Sequence, residues 1–161
     1  MNEFLIFIEK NKERFVKHAF HRLGNLEDAE DIVQDVFVKM YSQKLFHKLE
    51  NPEVYFYQMT MNACLDFIRR REIKFRVFQH FESENRTVSE NEALQNLKLE
   101  EEFKRINNIL KILPDEQAEV VRFRVIDELS FKEITKILGL PESTVKSRFQ
   151  YAMKKLRNYE L

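Results

Sequence analysis

The stretch SFKEITKILGLPESTVKSRFQYAMKKL, residues 130–156, decides the class of fold. Its first part predicts a short amphipathic helix over Ser130–Leu138, after which Gly139 interrupts the helical pattern. A tight turn between two short helices requires a residue that tolerates a positive φ, and Gly139 supplies it. A second helix is predicted to begin at Ser143 or Thr144. The stretch is therefore predicted to form a helix-turn-helix.

The second of these helices has two chemically different faces. At 100° per residue, one side carries apolar residues, namely Val145, Phe149, Ala152 and Leu156. The opposite side carries cationic and hydrogen-bonding residues: Lys146, Ser147, Gln150, Lys154 and Arg157, with Tyr151 at its edge. From Val145 to Arg157 there are five Lys or Arg and no Asp or Glu. Such a face suits a helix lying in the major groove of DNA. The alternative is a solvated amphipathic helix with a basic tail.

The composition indicates a nearly all-helical protein of one or two small domains. The chain has 161 residues, with only two Gly and three Pro. Because the net charge is zero, nucleic-acid binding has to come from local patches. A single cysteine, Cys64, excludes an internal disulfide. We expect a cytoplasmic protein without membrane insertion, since the sequence has no signal peptide and no apolar run near the roughly 18 residues of a membrane span.

The residue patterns of catalytic and metal sites are missing from the sequence. With glycines only at positions 24 and 139, neither a P-loop nor a dinucleotide-binding loop fits. Cys64 stands alone, and His18 with His21 lacks the two further ligands of a zinc site. We therefore predict a protein that is not an enzyme and that needs no cofactor and no metal.

An acidic helix is predicted after Asn25, with the sequence LEDAEDIVQDVFVKMY. Its inward side is apolar: Ala29, Ile32, Val36 and Met40. Its outward side is mostly acidic: Glu27, Asp28, Asp31, Gln34 and Asp35. Val38 lies on the same outer side, with Phe37 at its border. The acids are explained by compensation of the helix dipole, or they flank an exposed apolar residue on a protein-binding surface, and both interpretations stay open.

A third long helix is predicted to begin at Asn51 and Pro52, with the sequence EVYFYQMTMNACLDFIRRRE. It is apolar except for one polar stripe: Tyr55, Gln58, Asn62, Asp66 and Arg69. This stripe is either the solvated side of the helix or a surface on which bases stack and form hydrogen bonds. Arg69, Arg70 and Arg71 lie near the end of the helix. One arginine would compensate the dipole, whereas three in succession favour contacts to phosphates.

These patterns divide the chain into three parts. Residues 1–75 and 99–161 are periodic and apolar enough to fold, whereas residues 76–98 are polar and weakly patterned. We predict an all-α fold of two small helical domains joined by a flexible linker, the C-terminal domain being the helix-turn-helix.

Three stretches, in this order, resemble bacterial RNA polymerase sigma factors of the small extracytoplasmic-function class of the sigma-70 family. LGNLEDAEDIVQDVFVKMY is similar to the region 2.1–2.2 signature, and YFYQMTMNACLDFIRRR resembles region 2.3–2.4. LPDEQAEVVRFRVIDELSFKEITKILGLPESTVKSRFQYAMKKLR resembles region 4. The resemblance implies a region 2-like domain at residues 1–75 and a region 4-like domain at residues 99–161. It also implies a subunit that binds core RNA polymerase and directs it to specific promoters for transcription initiation.

The resemblance further implies roles for particular residues. Contacts to the clamp helices of the polymerase β′ subunit fall to Asp31, Gln34, Asp35 and Phe37. Recognition and melting of the −10 element fall to Tyr55, Gln58, Asn62, Asp66, Arg69, Arg70 and Arg71, with the loop Leu45–Asn51 capturing a flipped base. Recognition of the −35 element falls to Thr144, Lys146, Ser147, Arg148, Gln150, Tyr151 and Lys154, of which Arg148 and Lys154 would hold phosphates. The β flap of the polymerase and an anti-sigma factor are further partners that the family implies.

The chain departs from the family pattern at a few positions. Tyr55 stands where many members have Trp, and Gln58 stands where Arg is frequent. Tyr151 and Met153 occupy places that are often basic, so weaker −35 binding is expected. The main alternative function is an autonomous helix-turn-helix transcriptional regulator, and a protein-only adaptor is a third class. The acidic helix together with the arginine-tailed helix favours the sigma factor over a simple regulator, which needs neither.

Overall fold

The computed structural model describes residues 2–77 and 89–159, and within them every regular element is helical. The α-helices are α1 (Glu3–Leu23), α2 (Leu26–Ser42), α3 (Pro52–Val77), α4 (Glu90–Leu110), α5 (Asp115–Val121), α6 (Phe131–Leu138) and α7 (Glu142–Arg157). A 3₁₀ turn, Phe46–Lys48, precedes α3, and a π-helical turn, Arg122–Ile126, continues α5. The predicted all-α class is confirmed. Of the predicted linker, residues 78–88 lie outside the described residues, and α4 begins at Glu90 within its second half.

Local signals set the helix ends where the sequence predicts them. Gly24 ends α1 with φ +76° and donates its N–H to the carbonyl of Phe20. The side chain of Asn25 then accepts the N–H of Asp28 and caps α2. Asn51 likewise accepts the N–H of Val54 at the start of α3. Among the described residues, no helix is both long enough and apolar enough to cross a membrane.

Helices α1, α2 and α3 enclose an aromatic core. The rings of Phe15 and Phe56 stack with centroids 3.7 Å apart, and Phe37 lies 4.7 Å from Phe56. The predicted inward residues of α2 are all buried: Ala29, Ile32, Val36 and Met40. Cys64 is also buried, as a small apolar residue of α3. Each fully buried Phe contributes about 1.5–3 kcal/mol relative to an exposed one, so this core fixes the three helices as one unit.

The helix-turn-helix forms as predicted. Ser130 and Glu133 make a reciprocal capping box at the start of α6. Gly139 ends α6 with φ +66°, in the left-handed region that the turn requires. Helix α7 begins at Glu142, slightly before the predicted start, and its inner residues Val145 and Ala152 are fully buried. A second, smaller apolar core joins α7 to the preceding helices through Leu110, Leu113, Ala118, Val121 and Ala152.

The N-terminal half (α1–α3) and the C-terminal half (α4–α7) pack against each other. The core around Phe15 and Phe56 also contains residues of the C-terminal half: Phe123, Leu129, Ile134, Ile137 and Val145. Helix α6 packs on α3, and the π-helical turn packs on α1. The sequence predicts two separate domains and holds no signal for this direct contact.

Candidate nucleic-acid interface

The outer face of α7 projects into solvent. Its exposed side chains are those that the sequence assigned to DNA: Lys146, Ser147, Gln150, Tyr151 and Lys154. Tyr151 is 66% exposed although it is a large aromatic residue. Thr144 and Arg148, assigned to the same surface, are half-buried. The amphipathic pattern of α7 therefore separates a packed side from a polar, cationic side that is open to a large ligand.

Two ion pairs set the charge of this face. Lys146 Nζ lies 3.4 Å from the carboxylate of Glu142, one turn earlier on the same helix. Because both side chains are about half exposed, this pair is weak and a nucleic acid can replace it. The guanidinium of Arg148 lies 3.6 Å from Glu116 at the start of α5, and its side chain is only 28% exposed. Arg148 therefore points along the protein surface, whereas Lys146 and Gln150 point outward.

The polar stripe of α3 is only partly free. Asn62, Asp66, Arg69 and Arg70 are exposed, and Asp66 pairs loosely with Arg69 at 3.8 Å. Tyr55 is half-buried and packs against the aromatic core. Gln58, the second of the five stripe residues, donates its Nε2 hydrogens to the carbonyls of Lys136 and Ile137 in α6, at 3.3 and 3.1 Å. The stripe is thus open from Asn62 to Arg69 and covered at Gln58, near its N-terminal end.

Arg71 differs from its two neighbours. Its guanidinium donates to the carbonyl of Leu23 at the end of α1, at 3.3 Å, and lies 5.7 Å from the ring centre of Phe67. This contact ties the last turns of α3 to α1. Arg69 and Arg70 are therefore better placed than Arg71 to meet a phosphate.

The outer face of α2 has the predicted acidic character. Asp31, Gln34 and Asp35 are exposed, and Val38 beside them is 59% exposed. Phe37 requires a correction, because it is 7% exposed and its ring packs on Phe4 and Phe56 in the core. A border position on a helix turns inward when helices pack on both sides of it, as α1 and α3 do here. Val38, not Phe37, is the apolar residue that this surface presents.

The loop between α2 and α3 borders a cleft. A cavity of about 350 Å³ lies beside the loop and is lined partly by Phe4, Tyr41, Phe46 and His47. Lys44 at its rim has φ +53°, an unusual conformation for a residue other than glycine. The predicted loop Leu45–Asn51 includes the 3₁₀ turn that supplies Phe46 and His47. Aromatic rings in a concave site can stack on a base.

Sequence reasoning missed a buried polar cluster between the two halves, made of His18, Arg22, Glu119 and Asp127. His18 Nδ1 lies 2.9 Å from Asp127 Oδ2, with both side chains at most 1% exposed. Arg22 donates to Glu119 Oε1 at 2.6 and 3.0 Å and to Asp127 Oδ2 at 3.4 Å. We call these four residues the latch. The signal that could have found it is weak, since His18 and Arg22 share one helix face but their partners lie about 100 positions away.

The latch alters the pKa values of its members. Burial and the adjacent Arg22 cation lower the pKa of His18, against the attraction of Asp127. His18 is thus neutral, with its Nδ1 hydrogen directed to Asp127. Burial opposes the ionisation of Asp127 and Glu119. For Asp127 the hydrogen bond from His18 outweighs burial, and for Glu119 the charge of Arg22 outweighs it. The pKa of each carboxyl therefore lies below its usual value. The latch therefore holds one cation and two carboxylates at the contact between the halves, with the Asp127 side chain fully buried and that of Glu119 24% exposed.

Comparisons with known proteins agree with this geometry. The Sigma-70 region 2 model matches residues 7–73, and the Sigma-70, region 4 model matches residues 109–158. The ECF RNA polymerase sigma factor SigW of Bacillus subtilis (strain 168) is 28% identical over 165 residues, which cover 96% of this chain and 87% of SigW.

Two solved structures share the fold. CnrH, in complex with the cytosolic domain of CnrY, matches with a TM-score of 0.66 at 18% identity, over 96% of this chain and 84% of that chain. The sigma factor RpoE from Bartonella quintana, in complex with the anti-sigma factor NepR, matches with a TM-score of 0.62 at 20% identity, over 94% of both chains.

Two helical halves that match regions 2 and 4 in that order define an RNA polymerase sigma factor, which directs the polymerase to promoters for transcription initiation. The chain belongs to the extracytoplasmic-function class of the sigma-70 family. The match to region 2 over residues 7–73 decides against the alternative of an autonomous helix-turn-helix regulator.

Proposed function

We propose that three surfaces of this chain divide the work of promoter recognition. The outer face of α2 binds the clamp helices of the polymerase β′ subunit. The stripe of α3 and the loop before it open the −10 element and hold its unpaired strand. The outer face of α7 reads the −35 element as duplex DNA.

The polymerase contact rests on the exposed residues of α2. Asp31, Gln34 and Asp35 form a polar row, and Val38 adds an exposed apolar side chain beside them. An apolar residue surrounded by charges is typical of a specific protein interface, since burial supplies affinity and charge supplies orientation and association rate. Val38 takes the apolar role that the sequence assigned to Phe37.

The −10 contact rests on the open part of the α3 stripe. Asn62 offers both a donor and an acceptor to a base edge, and Tyr55 retains a ring face for stacking. Arg69 and Arg70 are exposed and supply charge to the phosphates of the same strand. The cleft lined by Tyr41, among others, lies beside the loop and is the place for a flipped base.

The −35 contact rests on the exposed side of α7. Lys146 and Gln150 are one helical turn apart and both point outward, so both reach base edges in one major groove. Lys154 lies a further turn along and meets the DNA backbone. Tyr151 adds an aromatic ring to the same exposed face.

Domain limits and the remaining partners complete the proposal. The region 2-like unit spans residues 1–75, the linker 76–98 and the region 4-like unit 99–161, which also contacts the β flap. An anti-sigma factor is a partner, as it is for RpoE in the complex with NepR. The protein acts in the cytoplasm, where it associates with core polymerase and promoter DNA, and the polymerase carries out all of the chemistry.

The observation that carries the proposal is the exposed acidic row of α2 in the same half as the exposed arginines of α3. The test is a double charge reversal, Asp31→Lys with Asp35→Lys, measured as affinity for purified core polymerase. A matched control is Glu9→Lys with Glu13→Lys, because these exposed residues of α1 have the same spacing and charge. We expect weaker core binding and a smaller salt dependence for the α2 variant alone, with unchanged helicity. Equal affinity of the two variants would remove α2 from the polymerase contact.

A further inference from the structure

Tyr151 is an aromatic residue that the packing of α7 does not use. It is 66% exposed, and within the part of the chain that the structure describes its side chain has neither a hydrogen bond nor a ring contact. Phe149, two positions earlier on the same helix, is half-buried, and its ring lies 5.4 Å from that of Phe131 in α6. An aromatic residue that serves the fold on this helix therefore points inward, and Tyr151 does not.

The surroundings of Tyr151 are polar and cationic. Ser147 lies one turn before it and Lys154 lies about one turn after it, and both are exposed. Within α7, which the structure describes throughout, Tyr151 is the one exposed large hydrophobic residue. A specific protein interface is built on a contiguous apolar patch, and a single ring among cations does not form one. The face is therefore suited to a polyanion that presents a small apolar group.

Duplex DNA presents one such group in its major groove. Thymine alone among the four bases carries a methyl group there, at C5, and apolar side chains recognise it by direct contact. A tyrosine ring is flat and rigid and offers a large contact area at a low cost in conformational entropy. The exposed ring of Tyr151 thus has the chemistry to recognise thymine.

Helix geometry places Tyr151 near the base pair assigned to Gln150. Successive residues of an α-helix rise by about 1.5 Å, so Tyr151 lies about 7.5 Å along the axis from Lys146 but only about 1.5 Å from Gln150. Base pairs of duplex DNA follow one another at about 3.4 Å. For a helix lying along the groove, Tyr151 therefore meets the base pair that Gln150 reads or the next one.

We propose that Tyr151 is a specificity-determining residue that reads thymine, its ring packing on the 5-methyl group of a thymine in the −35 element, at the base pair of Gln150 or beside it. Gln150 and Tyr151 then act as a pair, in which one side chain reads a base edge by hydrogen bonds and the other by apolar contact. This inference rests on the proposed role of α7 in reading the −35 element.

The test is a thymine-to-uracil interference experiment with the holoenzyme. Uracil pairs as thymine does and lacks only the methyl group, so every other contact to the DNA stays available. The probe is a promoter fragment found by mapping the start sites that core polymerase uses only in the presence of this protein. A fraction of its thymines is replaced by uracil, bound fragments are separated from free ones, and cleavage after uracil-DNA glycosylase treatment locates the uracils.

Three variants are compared with the wild-type chain: Tyr151→Ala, Tyr151→Phe and Tyr159→Ala. Tyr159 is a matched control, because it is also exposed but lies beyond the end of α7. For the wild type we expect interference at a thymine of the upstream element, with affinity lowered roughly fourfold, as the loss of one buried methyl group requires. Tyr151→Ala should lose this interference. Tyr151→Phe and Tyr159→Ala should keep it, since the ring and not the hydroxyl makes the contact.

Three results would overturn the inference. Two are the absence of uracil interference in the upstream element of the wild type and an unchanged pattern in Tyr151→Ala. The third is loss of the interference in Tyr151→Phe, which would assign Tyr151 to a phosphate contact through its hydroxyl. Because Tyr151 is exposed, all variants should keep the helicity of the wild type.

Failure of the proposed function would look different from failure of this inference. If no start site depended on the protein, the promoter role of α7 would fail, and the reading of thymine with it. If Gln150→Ala relaxed the preference at the upstream element while Tyr151→Ala left the uracil pattern unchanged, α7 would read DNA and only the role of Tyr151 would be wrong.

Discussion

The two surfaces proposed to bind promoter DNA differ in how much of each is exposed. On α7 the side chains assigned to base reading by hydrogen bonds, Lys146 and Gln150, are exposed. The ion pair of Lys146 is with Glu142 of the same helix and leaves this face open to a major groove. On α3 the second residue of the stripe, Gln58, is hydrogen-bonded to α6, whereas Asn62, Asp66 and Arg69 are exposed. The side chains proposed to read bases on α7 are therefore exposed, whereas the surface of α3 proposed for single-stranded DNA is open only beyond Gln58.

The largest effect is expected from the open end of the α3 stripe. Replacing Arg69 and Arg70 by Ala removes two charge-assisted contacts to phosphate, each worth about 1.5–3 kcal/mol. Open-complex formation by the holoenzyme should fall by a factor of about 100 or more. The slope of log affinity against log salt should become shallower by roughly 1.4, and this is measured by titrating permanganate-reactive thymines against salt.

The matched control for this prediction is Arg71→Ala. Because Arg71 is bonded to Leu23 and lies over Phe67, its loss should lower the stability of the N-terminal half more than it changes the salt slope. Equal changes of salt slope for Arg71→Ala and for either neighbour would show that the three arginines are equivalent.

The next effect distinguishes base recognition from phosphate contact on α7. Gln150→Ala should relax the preference at one or two −35 positions by about 1–3 kcal/mol, since Gln pairs bidentately with adenine. Lys154→Ala should weaken all sites equally and reduce the salt slope by about 1. Transcription from a panel of single-base −35 variants distinguishes the two. Uniform loss from both substitutions would mean that the register of α7 in the groove is wrong.

A pH dependence is expected at the contact between the halves. While the two halves pack together, the pKa of His18 lies below its ordinary value, chiefly because of burial, with Arg22 adding to burial and Asp127 and Glu119 opposing it. Tyr57 also faces the ring, and burial lowers the pKa of neighbouring His21 in the same direction. Below about pH 6.5 the chain therefore binds more protons with its halves separated than with its halves packed together, so the contact weakens as the pH falls through that value.

The expected loss is at most about 1.4 kcal/mol per pH unit for each histidine. The pKa values of Asp127 and Glu119 are also lowered in the packed state. Their carboxylates stabilise the contact above the ordinary carboxyl pKa range, and this stabilisation is lost only as the pH falls through that range and below it. Small-angle scattering at pH 7.5 and pH 5.5 measures the compactness of the free chain, and the change in compactness is expected to be centred at about pH 6.5. His18→Gln should flatten the response, and an unchanged pH response would assign it elsewhere.

The smallest effect is expected at the turn of the helix-turn-helix. A methyl group at Gly139 would meet nothing within 4 Å, so Gly139→Ala carries only the cost of φ +66°, about 1 kcal/mol. At Gly24, with φ +76°, the added Cβ would also lie 2.5 Å from the Phe103 ring of α4. Thermal unfolding should therefore show a larger loss for Gly24→Ala than for Gly139→Ala. A reversed order would contradict the packing of α4 on the end of α1.

The sequence predicted those parts of the fold that local signals determine. The turn at Gly139, the cap at Asn25 and the buried side of α7 each depend on residues within a few positions of one another. The sequence predicted that Asp31 and Asp35 lie on the outer face of α2, but it did not predict that Phe37 is buried. A helical projection cannot show that two neighbouring helices enclose a border residue.

The contact between the two halves could not be predicted from local sequence signals. His18 and Asp127 are 109 positions apart, and each is an ordinary polar residue of a solvated helix when read in its own segment. Only the folded chain brings them together and removes water from both. The same holds for Gln58, whose partners are backbone carbonyls in a distant helix and leave no mark on the side-chain pattern.

Helices α3 and α7 of one chain are proposed to select promoters for core polymerase. The most direct measurement is run-off transcription of fragmented genomic DNA by purified core polymerase, with and without this protein, followed by sequencing of transcript 5′ ends. We expect new start sites that share two sequence elements at a fixed spacing, and Gln150→Ala should lose the sequence preference at the upstream element. Start sites unchanged by the protein, or new start sites without a shared pair of elements, would contradict it.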